Sequence, residues 1–146
     1  MGALTPLDPK QFVDGDIAWV LASAALVLFM TPGLAFFYGG MVRAKNVLTM
    51  LMQNFFSLGL VSVLWAVIAY SLAFGGTGRF IGNLDFAWMQ NPLAAPIGLE
   101  ALTIPPGLYM VYQLMFAIIT PALITGAIAR SEEHTSELQS RGLISY

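Results

Sequence analysis

The 146-residue sequence has no cysteine and very little charge. Without thiols, disulfides and thiolate metal sites are excluded. Charged residues make up only 10% of the chain and hydrophobic ones 58%. A soluble domain of this size needs far more polar surface to cover its core. The net charge of −2 comes with no basic patch, which excludes nucleic acid as a partner. A single histidine, His134, lies in a polar tail, and the apolar stretches hold no acid, histidine or cysteine to do acid–base or nucleophilic chemistry. That composition argues against an enzyme. A mean hydropathy of +0.75 makes the lipid bilayer the implied solvent.

What the chain does have is long uncharged runs: Ile17–Val42, Asn46–Gly78 and Ala101–Ala129. Each exceeds the roughly 20 residues that cross a hydrocarbon layer of about 30 Å. Ile17–Phe37 alone holds ten Leu, Ile, Val or Phe residues. At about −0.3 to −0.6 kcal/mol each, they contribute roughly −3 to −6 kcal/mol to insertion. The runs predict an all-α integral membrane protein with three transmembrane helices near 17–38, 47–74 and 108–129, the last starting after the breaker Pro105-Pro106-Gly107. A cleaved leader would need a basic start and a short apolar core. The leading segment instead sets Asp8, Asp14 and Asp16 against Lys10, and its apolar run is too long.

Arg43 and Lys45, with no acid beside them, mark the first connection as cytoplasmic by the positive-inside bias. Residues 1–16 then form an extracytoplasmic segment, with the N-terminus outside. The second connection, Gly75–Gly107, is rich in Gly, Pro and Asn and carries Phe80, Phe86 and Trp88. It reads as a segment lying on the membrane surface with its aromatics at the interface.

Polar residues inside the spans are costly unless paired, so their positions carry information. Gln53 and Asn54 are expected to hydrogen-bond a neighbouring helix. In the third span Tyr109, Tyr112, Gln113, Phe116 and Thr120 fall on one helical face. Such a face can attract a cation through its ring quadrupoles. It can equally be a packed helix–helix surface, and periodicity alone favours packing. Pro32 and Pro121 lie within predicted helices and deprive the Leu28 and Ala117 carbonyls of their usual donors.

Met30–Met50, with its Thr31-Pro-Gly-Leu-Ala-Phe-Phe-Tyr-Gly-Gly40 and Met41-Val-Arg-Ala-Lys-Asn-Val-Leu48 segments, resembles the first helical hairpin of the Amt/Mep/Rh ammonium transporters, bacterial Amt proteins above all. Tyr70–Gly75, Phe80–Asn83 and Tyr112–Ala129 resemble later parts of the same family in the same order. The resemblance implies a homotrimer in the full-length parent, with eleven helices and one pore per subunit, in the inner (plasma) membrane. Ammonium or ammonia would be the substrate, no cofactor is called for, and there is room for a cytoplasmic regulatory protein. Phe116 matches the outer of two gating phenylalanines, which reverses the packing preference for its face. Tyr112 and Gln113 match positions on the vestibule side. Tyr38, Gly39 and Gly40, with Pro32, match a signature turn whose role is structural. The second gating phenylalanine, the vestibule tryptophan and serine, and both pore histidines belong to later helices of the family.

Only three of eleven expected helices are present, so the chain is read as an N-terminal fragment, inactive alone. The family pattern would place an acid after Gly126–Ala129, where Arg130 stands. Arg130–Ser140 looks like the in-frame translation of a common short-read sequencing adapter. The agreement resumes at Ile144–Tyr146 after a barcode-length gap at Arg141–Leu143. Residues 130–146 are accordingly expected to be a non-native tail. The other reading is a small membrane scaffold or assembly subunit that packs through Ala35-x-x-x-Gly39.

Overall fold

A computed structural model describes residues 6–42, 46–76, 81–91, 93–96 and 98–143, with side chains up to Ile128. Among these residues there is no strand, only an isolated bridge between Pro6 and Ala94. Helix α1 runs Asp14–Met41, α2 Val47–Leu64 and α4 Pro106–Leu143. A π-helical turn, Trp65–Ala69, joins α2 to the short α3, Tyr70–Phe74, so Val47–Phe74 is one continuous span. Three helices are long and apolar enough to cross a membrane: Asp14–Met41, Val47–Phe74 and Pro106–Ile128. They pack on one another pairwise. Arg43, Lys45, Arg79 and Phe80 lie outside the described residues.

The residues α1 buries are Ala24, Thr31, Ala35 and Gly39, whereas Trp19, Leu26, Phe29, Phe36 and Phe37 are exposed. This inverts the pattern of a water-soluble helix, and the medium explains why. Lipid gives large apolar side chains no reason to hide, while small residues let backbones approach and gain dispersion contact. The Ala35-x-x-x-Gly39 spacing is thus on the inner face. Asp14 and Asp16 occupy the first turn of α1, where the amide dipoles favour negative charge.

Three expectations change. Phe86 does not lie at the interface: it is 4% exposed, in a cluster with Tyr70, Ala94 and Met110. The connection between the second and third spans is therefore partly folded into a cap over one end of the helices. Its backbone pairs with the leading segment through Leu7 N–H to Leu93 O, at 2.9 Å, and Val13 N–H to Thr103 O, at 2.8 Å. The Thr103 hydroxyl also donates to the Asp16 carboxylate. Asn54, 1% exposed, gives its amide to the Met50 carbonyl of its own helix at 2.8 Å, while Gln53 points outward. Last, α4 continues as backbone beyond Ala129 to Leu143. Residues 130–141 contain neither Gly nor Pro and are rich in good helix formers, so nothing local stops the helix.

Candidate functional site

The aromatic face of α4 is assembled from its N-terminal end onward. Trp65, in the π-helical turn, donates its indole N–H to the Met110 carbonyl at 3.2 Å. Around that tie, Tyr70 packs on Trp65, Phe74 and Phe86 with ring centroids 5.8, 5.2 and 5.7 Å apart. Phe74 then meets Tyr109 edge-on at 5.5 Å. The two edge-to-face pairs among these, Tyr70–Phe86 and Phe74–Tyr109, add about 0.5–1.5 kcal/mol each beyond their buried area. The first turns of α4 are thereby fixed against the second span.

Below them, Tyr112 and Phe116 form an edge-on pair at 5.2 Å. Phe116 is 44% exposed, Thr120 is exposed, and Tyr112 and Gln113 are half-buried. The residues α4 buries here are Met115, Ile118, Ile119, Ala122 and Gly126. At 100° per residue, their face lies about a quarter-turn from the one centred on Phe116. The lower part of the Tyr112–Gln113–Phe116 face is therefore turned away from both neighbouring helices. Packing within the three-helix unit does not account for it.

The backbone beneath Phe116 carries two departures from regular helix. The Thr120 hydroxyl donates to the Phe116 carbonyl at 3.1 Å. One residue on, Pro121 has no amide hydrogen for the Ala117 carbonyl. Both features bend membrane helices and loosen their hydrogen-bond ladder.

The signature residues lie at the other end of the unit. The Tyr38 ring covers Gly126 of α4 so closely that a Cβ there would stand 2.4 Å from two ring carbons. Gly39 is buried, and a Cβ there would stand 3.4 Å from Val47 Cγ1 across the hairpin, whereas one at Gly40 would meet nothing within 4 Å. Pro32 is half-buried inside α1. Tyr112 and Phe116 are thus brought together. Tyr38 meets α4 ten residues farther on, about 15 Å down the helix axis. Sequence reading missed the Trp65 tie and the partnership of Tyr38 with Gly126. An indole within an apolar run and a glycine within a helix are the only local signals for them.

Three apolar helices around a small-residue seam, with an aromatic and amide-bearing face only partly covered, define an α-helical membrane protein of the multi-span class. The Ammonium Transporter Family matches residues 18–138. The chain belongs to that family. It is 48% identical over 133 residues to the ammonium transporter of Mycobacterium bovis, covering 79% of this chain and 27% of that protein. Against ammonium transporter Amt1 of Archaeoglobus fulgidus it is 40% identical over 124 residues, covering 84% and 29%. The crystal structure of Candida albicans Mep2 superposes with a TM-score of 0.72 at 31% identity, covering 83% of this chain and 27% of Mep2. The chain thus spans less than a third of the length of these relatives.

Proposed function

We propose that this chain supplies the first three spans of a transporter that moves ammonium or ammonia across the cell's inner membrane. The observation that carries the proposal is the Tyr112–Gln113–Phe116 face. The Phe116 ring stands exposed on α4, paired edge-on with half-buried Tyr112 and beside half-buried Gln113. A cation shedding its water there meets ring quadrupoles and an amide oxygen. Phe116 acts as the outer gate, and Tyr112 and Gln113 line its approach. Tyr38, Gly39 and Pro32 shape the helical frame.

In this reading the N-terminus and the cap are extracytoplasmic. The parent assembles as a trimer with a pathway in each subunit, and a cytoplasmic protein regulates it. The pathway needs walls that three helices do not provide. The relatives' greater length supports that view, and the adapter-like sequence after Ala129 supports reading residues 130–146 as a non-native end. The family match runs past this junction to residue 138, which makes the junction the place to test.

Resequencing the source locus across Ala129/Arg130 is expected to give an open frame with further membrane helices. In proteoliposomes, the gene so completed is expected to give saturable methylammonium uptake that falls at least tenfold in Phe116→Ala, while residues 1–146 give none. Saturable flux from residues 1–146, or uptake indifferent to Phe116→Ala, would refute the assignment. A genuine stop near Tyr146 together with a stable defined oligomer would instead establish the scaffold reading.

A further inference from the structure

Two buried side-chain atoms make no hydrogen bond among the described residues: Oγ1 of Thr31 on α1 and Oδ1 of Asn54 on α2. Each residue is 1% exposed. Helical rise puts them near one level of the bundle. A Cβ added at Gly39 would stand 3.4 Å from Val47 Cγ1, so these two residues lie opposite each other in the antiparallel α1–α2 pair. From it, buried Ala35 and Thr31 step back along α1 as buried Met50 and Asn54 step forward along α2. The two climbs, of about 12 and 10.5 Å, end within about 2 Å of one height.

The groups are complementary. Thr31 has a hydroxyl hydrogen that it does not give to a carbonyl of its own helix, the usual resort of a helical threonine. Asn54 has already given its amide to Met50, leaving an acceptor. An orphaned buried polar atom costs about 1–3 kcal/mol, and inside a bilayer no bulk water relieves it. At 1% exposure neither residue can be reached by a side chain from outside the three helices. The missing partner is therefore small and enclosed with them. Pro32 has no amide hydrogen for the Leu28 carbonyl, three residues before Thr31, which makes that oxygen the candidate third acceptor. One donor and two acceptors suit a buried water, which typically makes about three hydrogen bonds.

We propose that Thr31 and Asn54 hold a single internal water between α1 and α2. The water accepts from the Thr31 hydroxyl and donates to Asn54 Oδ1, with the Leu28 carbonyl taking its second hydrogen. It bridges the proline break in α1 to the neighbouring helix. The site is separate from the Phe116 face and does not rest on the transport assignment.

Water-edited solid-state NMR of the full 146-residue chain in deuterated-lipid bilayers tests it. Long-lived water is expected to give cross-peaks to the Thr31 hydroxyl and the Asn54 side-chain amide. These persist in Thr31→Ser and vanish in Thr31→Val and in Asn54→Leu. In thermal unfolding each of the latter two variants melts below wild type, and the double variant melts above the lower of them, because removing both groups leaves neither side chain orphaned. A direct Thr31–Asn54 cross-peak without water, a dry site, or additive losses in the double variant would overturn the proposal. The wild-type spectrum decides the matter alone if the variants do not fold.

Discussion

Gly126→Ala is the sharpest perturbation the structure offers, because two effects of opposite sign meet at one atom. In a helix interior, alanine is favoured over glycine by about 1 kcal/mol. On propensity alone the variant should be the more stable. The new Cβ, however, would lie 2.4 Å from Cδ2 and Cε2 of Tyr38 and 2.7 Å from its Cγ. Cγ is the root of the ring, so rotating the ring about its own axis does not clear the clash. The side chain must leave its rotamer or α1 must move away from α4, and such overpacking costs about 1–3 kcal/mol. The steric term wins, and we expect a net loss of about 0–2 kcal/mol. Tyr38→Ala removes the obstacle, so Gly126→Ala in that background should be neutral or stabilising. The double-mutant cycle should return a coupling of about 1–3 kcal/mol. Reversible unfolding in mixed micelles, followed by tryptophan fluorescence, measures all four corners. If Gly126→Ala stabilises the chain with Tyr38 intact, the packing argument for this pair is wrong.

Trp65→Phe keeps an aromatic body but removes the indole donor to Met110, and should cost about 0.5–1.5 kcal/mol in the same unfolding assay. Ser71→Ala should cost more, about 1–3 kcal/mol. Its hydroxyl donates to the Asn83 carbonyl at 2.8 Å and accepts from the Phe86 amide at 2.9 Å, so the change leaves a buried N–H unpaired, and limited proteolysis within residues 81–91 should quicken. Glu100 has its carboxyl held below the usual range by main-chain hydrogen bonds, its own and that of the Gly98 amide, which donates to Oε1 at 3.1 Å. Because its folded-state pKa is the depressed one, this turn is fully supported above the ordinary carboxylate range and loses that support as the pH falls through the lowered value. Hydrogen exchange at Gly98, corrected for its intrinsic pH dependence, should report the loss.

The spans were legible in the sequence because the bilayer sets a length that composition alone can meet. Val47–Phe74 was read with both of its ends, and α1 begins only three residues before the expected Ile17. The face of Tyr112, Gln113 and Phe116 was legible as a helical period, but its exposure was not, since that depends on which side of α4 the other helices occupy. Phe86 was misread for a related reason. An aromatic in a Gly- and Pro-rich connection looks interfacial until Ser71 is seen to hold its amide and Tyr70 to cover its ring. The bonding of Asn54 was equally hidden, because a carboxamide can turn to its own helix as readily as to a neighbour.

The π-helical turn at Trp65–Ala69 makes the number of residues in the second span as consequential as their kind. A π turn carries one residue more than an α turn, so everything after it is rotated by about 100° from where a regular helix would put it. Met50 and Asn54 begin an inward stripe that, continued regularly, would reach Leu72. The extra residue turns Leu72, 38% exposed, out of that stripe and brings Tyr70 toward it, while Ser71 is buried under the cap. Deleting Ile68, which is 39% exposed, would restore regular helix and swing Ser71 away from the amide it holds. A neutral-looking gap of one residue here would undo the cap without altering a single contact residue.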